Sequence, residues 1–415
     1  MPLDETFPQA PPTAPLMEVS APSYPSTLLN RSPQERVAYF ASYTVSHALI
    51  QAALTAVLRV ITQPIDTWTP VILVIGPAGV GKTTLVRAVE RELTRRLHDE
   101  LARDPGRLSF VSVASEVPES GSFNWKDFCL AGLEAMDEPL IGRKVYLAPP
   151  AATPDVSFVS TARTPSNILR RALVAALVHR APAAFLIDEA QQLAMVSGSR
   201  KFQHQMDYLK RLADATRVPP VLVGNYGLCL LRNQSAQLGR RTTDVHFRRY
   251  DATRADDAGD FQDIVLSFQQ HLPLAEPPDL IRHWDYLYLR SVGCIGLLKK
   301  WLVDALERAI EASAPTLTRA DLERTAPPLS ASKKVLEEAL DGEAILAELA
   351  PEADPKPGEA ELRALLRLPP PRDPTSESRQ QSSEPQGPLS RPRRPGERQP
   401  VRDRVGSESP AELTG

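Results

Sequence analysis

The chain has 415 residues, 42% of them apolar, and a formal net charge of −3. At about 100–200 residues per domain this length predicts two or three packed units, and the apolar content excludes disorder throughout. A near-neutral charge supplies no general attraction to nucleic acid, so any DNA contact has to come from a local basic patch.

In chain order, residues 1–30 are rich in Pro, Ser and Thr and are expected to be disordered. Ser32-Pro33-Gln34-Glu35 places an N-cap, a Pro at the first helical position and a Glu at the third. That capping box predicts a helix to about Ser42. His47–Ile61 carries apolar residues at helical spacing and completes an N-terminal helical extension over residues 31–70.

From 71 to 250 short apolar strands alternate with helices. The strand candidates are Val71–Ile75, Leu108–Val113, Ala183–Asp188, Val221–Gly224 and Asp244–Phe247; the helices are Leu85–Leu97, Asn167–His179 and Phe202–Thr216. This alternation predicts an α/β fold with a parallel sheet covered on both faces. Residues 251–350 read as helix only, over Phe261–His271, Asp279–Leu289, Leu297–Ala312, Thr318–Thr325 and Lys333–Ala350. Residues 351–415 form a Pro/Arg-rich tail with little apolar area to offset the entropy of ordering, and are expected to be disordered. Beyond Pro369, eight arginines alternate with seven acids, which suits a tether or partner-binding segment better than an electrostatic DNA arm.

The first strand runs into Gly76-Pro77-Ala78-Gly79-Val80-Gly81-Lys82-Thr83-Thr84, a Walker A pattern between a strand and a helix. Its glycines permit the backbone conformations that turn N–H groups toward phosphate oxygens, and the positive end of the following helix adds to them. Lys82 can neutralise the β- and γ-phosphates, and the Thr83 hydroxyl can ligate Mg²⁺. The expected ligands are ATP and Mg²⁺. Phe185-Leu-Ile-Asp188-Glu189 reads as Walker B with an adjacent acid: Asp188 serves the metal and Glu189 polarises the attacking water. An acid at that place marks the additional-strand class of P-loop ATPases. Asn225 ends another apolar strand, either orienting water or γ-phosphate as a sensor 1 residue or supporting a turn. Arg240 and Arg241 precede the last strand. One of them can act as an arginine finger on a neighbour's γ-phosphate; a solvated pair or a DNA contact are the alternatives.

Several stretches point to a family. In order they include Tyr39–His47 (YFASYTVSH), GPAGVGKTT, Glu119–Phe128 (ESGSFNWKDF), Glu138–Lys144 (EPLIGRK) and FLIDEAQQL. They continue with Gln205–Ala215 (QMDYLKRLADA), VLVGNYGLCLL, Gln237–Tyr250 (QLGRRTTDVHFRRY) and Gly293–Leu302 (GCIGLLKKWL). The series resembles the TnsC/TniB group of AAA+ ATPases, bacterial regulators of transposon target selection, from about Ser32 to Thr325. The resemblance implies a AAA+ core with a helical lid over 251–350. It also implies head-to-tail homo-oligomers, rings or filaments around double-stranded target DNA with ATP between neighbours. The partners would be a transposase and a TniQ-like target selector, and hydrolysis would reset the assembly. One position departs: the lid helix usually opens Gly-x-x-Arg, the sensor 2 arginine, whereas here Gly293-Cys-Ile-Gly296 has Gly in its place. Lys299 or Lys300, one turn on, are candidate substitutes.

For DNA the candidates are Lys126, Arg143 and Lys144, each equally readable as a solvated surface charge. Trp125 reads as core more readily than as a stacking platform, and His246 as a hydrogen-bonded structural residue. Cys129, Cys229 and Cys294 are too few and scattered for a disulfide framework or a zinc site, which suits a reducing cytoplasm. No signal peptide or apolar run of ~20 residues is visible, so no membrane partner is expected. The rival readings are another AAA+ loader or remodeller (a helicase loader or secretion-associated ATPase) and a nucleotide-gated scaffold with incidental hydrolysis.

Overall fold

The computed structural model describes residues 23–64, 68–115, 123–141, 166–194, 199–229 and 242–349. Four short apolar runs and one mostly polar one make the strands β1 (Val71–Ile75), β2 (Val111–Ala114), β3 (Phe185–Asp188), β4 (Pro220–Gly224) and β5 (Thr242–His246), the last being the polar one. All pair in parallel, in the order β2-β3-β4-β1-β5. The α/β class expected from the alternation is therefore the fold observed. β4 lies between β1 and β3 although it follows both in the chain, the arrangement of the additional-strand class. Parallel strands also bring every carboxyl end to one edge of the sheet, where ligands bind in open α/β folds.

The helices are α1 (Pro33–Ser42), α2 (Ala48–Ile61), α3 (Lys82–Arg96), α4 (His98–Arg103), α5 (Trp125–Glu134), α6 (Ser166–Arg180), α7 (Ser199–Thr216), α8 (Ala255–His271), α9 (Trp284–Ser291), α10 (Ile295–Glu311), α11 (Arg319–Thr325) and α12 (Leu329–Leu349). Alternation along each strand distributes its side chains between two cores. Val71, Leu73, Ile75, Phe185 and Ile187 pack with Phe128 of α5, Leu173 of α6 and Leu209 of α7. Ile72, Val74, Leu186 and Val223 pack with Val57 of α2 and Val86 of α3. A third core is built from helices and the loops between them, with Phe261 and Phe268 of α8 and Leu298 and Trp301 of α10 at its centre.

Phe40 and Val45 belong to that third core. The N-terminal helices are thus divided: α1 packs with the C-terminal helices and α2 with the sheet. α1 starts where the sequence places it, with the Ser32 hydroxyl accepting from Glu35 N–H and the Glu35 carboxylate accepting from Ser32 N–H. Within the first 30 residues, 23–30 depart from the expected disorder. The Tyr24 hydroxyl donates to the Leu274 carbonyl at 2.6 Å and Ser23 N–H donates to the Gln270 carbonyl at 2.9 Å. These bonds anchor a short turn over Ser26–Asn30.

Two helices were not foreseen, α4 and α5. Gly132 interrupts the helical pattern of α5, yet a Cβ there would meet Leu173 at 2.9 Å, so glycine is what lets α5 and α6 approach. Trp125 opens α5 and packs edge-on to Tyr208 (4.3 Å) and Phe123 (5.1 Å), a half-buried core residue. Among the described residues no helix is long and apolar enough to cross a membrane.

Candidate functional site

Ile75, the last residue of β1, is paired with Gly224 of β4 on one side and His246 of β5 on the other. Phe247 N–H donates to the Ile75 carbonyl (2.8 Å) and Gly76 N–H to the Gly224 carbonyl (3.2 Å), so the loop leaves the sheet from a clamped base. Gly79 and Gly81 take φ of 73° and 112°, backbone that favours glycine, and Gly81 caps α3. The first N–H groups of α3, unpaired within the helix, face the loop together with its positive end. Lys82 is the first residue of α3. Its Nζ donates to the Gly76 (3.0 Å) and Pro77 (2.9 Å) carbonyls, curling the ammonium over the loop. Burial pulls its pKa below the ordinary lysine value, and the carboxylates of Glu189 and Asp188 oppose that shift.

Across the loop, the Thr83 hydroxyl donates to Asp188 Oδ2 at 3.0 Å. Two motifs 105 residues apart in sequence thus meet through one hydrogen bond. A hydroxyl and a carboxylate are hard oxygen donors and fit Mg²⁺. Among the described residues no group of three or more His, Cys, Asp or Glu could hold a metal. Glu189 follows with φ of 53°, and its N–H donates to Asp188 Oδ1 at 2.9 Å.

Asn225 stands at the carboxyl end of β4, between the strands that deliver Gly76 and Asp188. Its Oδ1 accepts from Gly227 N–H at 3.0 Å and caps the turn Tyr226–Leu228. The turn-supporting role is therefore present in the geometry, and the amide nitrogen is the end with protons to give the site. His246 is hydrogen-bonded through Nε2 to the Tyr226 hydroxyl at 3.0 Å.

The start of α10 closes over the loop. Leu297 N–H donates to the Gly79 carbonyl at 3.1 Å, and a Cβ on Gly296 would lie 2.6 Å from that same oxygen. Close backbone approach thus accounts for glycine where an arginine is usual: no side chain fits there in this conformation. The Lys299 ammonium is engaged away from the loop's carbonyls. Lys299 donates to the Phe40 carbonyl and lies 3.5 Å from the centre of the Phe40 ring, and Lys300 is exposed. Burial lowers the Lys299 pKa to about 7.

Beside the loop a cavity of about 140 Å³ is walled by Tyr43, Val45, His47, Gly81, Thr84 and Lys299, among others. Sequence reasoning assigned no chemistry to this wall. The signal was there in Tyr39–His47, a stretch too polar and aromatic for a plain connector, but nothing local says that it folds against the loop. Lys126 sits in the first turn of α5, half-exposed. Arg143, Lys144, Arg240 and Arg241 lie outside the described residues.

Residues 69–230 match the family model described as AAA domain. No curated protein sequence matches the chain. Among solved structures, a Walker-type ATPase of Pyrococcus abyssi is 17% identical, with 72% of this chain and 74% of that one covered and a TM-score of 0.41. The Aeropyrum pernix ORC1 protein in complex with DNA is 17% identical, with 72% and 68% covered and a TM-score of 0.45. Drosophila ORC bound to DNA is 15% identical, with 80% and 72% covered and a TM-score of 0.44. Likeness at this level carries no functional conclusion.

Proposed function

We propose that the chain, which has a P-loop AAA+ fold and matches the AAA domain model over residues 69–230, is an ATPase that regulates transposition. In this reading it assembles on duplex target DNA and links a target-selection factor to the transposase, with ATP hydrolysis resetting the assembly. The observation that carries the catalytic half is the 3.0 Å contact between Thr83 and Asp188 across a glycine loop closed by Lys82. The transposition half rests on the ordered series of motifs from Tyr39 to Leu302.

The phosphates of ATP lie against the N–H groups of Gly76–Thr84, and Lys82 exchanges two carbonyls for β- and γ-phosphate oxygens. Thr83 and Asp188 hold Mg²⁺, which neutralises phosphate charge when bound. The base enters the cavity beside Gly81 and Thr84, between the wall from Tyr43 to His47 and the start of α10. Glu189 takes a proton from water as the water oxygen bonds to the γ-phosphorus. The bond to the bridging oxygen breaks and its electron pair stays on ADP. The Asn225 amide orients water or γ-phosphate. Arg240 or Arg241 reaches the nucleotide of the neighbouring subunit, which makes assembly a condition of full activity. Lys126, Arg143 and Lys144, repeated around a ring or filament, meet DNA phosphates; a few cations per subunit suffice when many subunits act together.

Turnover and nucleotide binding test the catalytic assignment together. Glu189→Gln is expected to lower kcat by about 10²–10⁴-fold, the usual range for a general base, while still retaining bound ATP. Lys82→Ala is expected to lose binding. A Glu189→Gln protein that hydrolyses ATP at the parent rate contradicts the assignment.

A further inference from the structure

We propose that Gln191 is a positioning residue for hydrolysis, which ties the Glu189 carboxylate to the end of the strand carrying Asn225. The inference rests on the reading of Glu189 as the base. Gln191 lies in the single turn Ala190–Ala194 that follows β3. Its Nε2 donates to Glu189 Oε2, and its Oε1 accepts from Asn225 N–H at 3.3 Å. One primary amide thus spans the carboxyl ends of β3 and β4.

Three observations make this seat specific. First, the contacts demand opposite polarities, a donor toward a carboxylate and an acceptor toward a backbone N–H, and a primary amide offers the two on separate atoms of one group. Glutamate would set two carboxylates against each other. Second, a Cβ on Gly224 would lie 2.4 Å from Gln191 Oε1, so the end of β4 accommodates the amide only because residue 224 is glycine. Third, Glu189 has φ of 53°, a left-handed backbone that a residue with a Cβ keeps only when its surroundings hold it. Asp188 Oδ1 holds its N–H, Gln192 N–H donates to its carbonyl at 3.0 Å, and Gln191 holds its carboxylate.

The consequence is a mechanical link. A shift of Asn225, whether from γ-phosphate or from the turn that it caps, moves the acceptor on which Gln191 rests and re-aims Glu189. The carboxylate then points at water in one position of the β4 end and away from it in another. Gln191 itself bonds to neither Lys82 nor Thr83, so its loss is expected in turnover rather than in nucleotide affinity.

The test is a kinetic cycle on the full chain with Mg²⁺-ATP, using Gln191→Met, Gly224→Ala, Glu189→Gln and the double variant Gln191→Met/Glu189→Gln. Gln191→Met keeps the side chain's length without its polar atoms and is expected to lower kcat about 10–100-fold at constant KM, as misplacing a catalytic group does. Gly224→Ala should reproduce that split. Adding Gln191→Met to Glu189→Gln should cost nothing further, because the residue acts through Glu189. An unchanged kcat in Gln191→Met, a KM that rises with the fall in kcat, or a further loss in the double variant overturns the inference. Should Glu189→Gln itself turn over at the parent rate, the assignment of the base fails, whatever Gln191 does.

Discussion

The ring of His47 is held neutral by the company it keeps. Its Nδ1 caps α2 by accepting from Ile50 N–H at 3.4 Å and is 2.9 Å from the Tyr250 hydroxyl, and both contacts use the lone pair. Burial pulls its pKa from 6.5 to about 4. Between those values the unfolded chain binds more protons than the folded one, so stability is full above about pH 6.5 and falls as pH drops toward 4. Replacing His47 by Asn, a strong N-cap residue, removes the titrating ring. Thermal midpoints followed from pH 8 to pH 4 should then fall less steeply than in the parent.

Gly296 gives a second prediction at this scale. Any Cβ there meets the Gly79 carbonyl, so Gly296→Ala forces α10 and the loop apart. Overpacking of this kind costs about 1–3 kcal/mol. Urea unfolding should show that loss, together with a raised KM for ATP; an Arg at the same place should do worse. The missing arginine was legible in the sequence. Its reason was not, because the contact joins residues more than 200 positions apart.

At the scale of elements, α12 returns to the sheet. Ala339 is fully buried in the core that includes Val71 and Phe185, and a Cβ on Gly342 would fall within 2.0 Å of the Tyr226 ring. Glu343 meets Arg249, just past β5, at 3.1 Å. The helix therefore rests on the turn that Asn225 caps, and the tail from Pro351 continues from its end. Glu343→Gln removes the charge facing a buried guanidinium and is expected to cost about 1–3 kcal/mol in urea unfolding, the range for leaving a buried polar group poorly paired. Gly342→Ala should lift the helix from Tyr226 and be at least as costly.

The stripe of Ala and Leu made this helix visible in the sequence, but a stripe records only that a face is covered, not what covers it. The same limit explains α1, whose capping box fixed its start to the residue while its packing on α10 stayed invisible. For the strands the balance is better. Val71–Ile75 is matched to the residue, and the others are displaced by one to three residues at one or both ends, where hydrogen bonds to a neighbour rather than side-chain preference decide. The acid after Asp188 even anticipated the extra strand between β1 and β3. α5 was lost because Gly132 disfavours helix locally, and only the approach of Leu173 repays it.

For the whole molecule, the residues proposed to bind nucleotide fall within the described residues, and most of those proposed to meet DNA and neighbours do not. Gly76–Thr84, Asp188, Glu189 and Asn225 converge at one edge of the sheet, whereas Arg143, Lys144, Arg240 and Arg241 lie outside the described residues. Motif spacing made the first group legible because each motif sits at a strand end, and parallel strands end together. Two outcomes follow for the assembled protein. Removing Pro369–Gly415 should leave ATP binding and assembly intact, checked by nucleotide titration and sedimentation. Lys126→Ala should weaken duplex DNA binding evenly across sequences and reduce the slope of log K against log salt by about 1 per neutralised phosphate lost.

Electron microscopy of the full chain with duplex DNA and a non-hydrolysable ATP analogue at low salt addresses the central claim most directly. Rings or filaments threaded by DNA, absent without nucleotide, are the expected result, and particles that stay monomeric with nucleotide bound would contradict it.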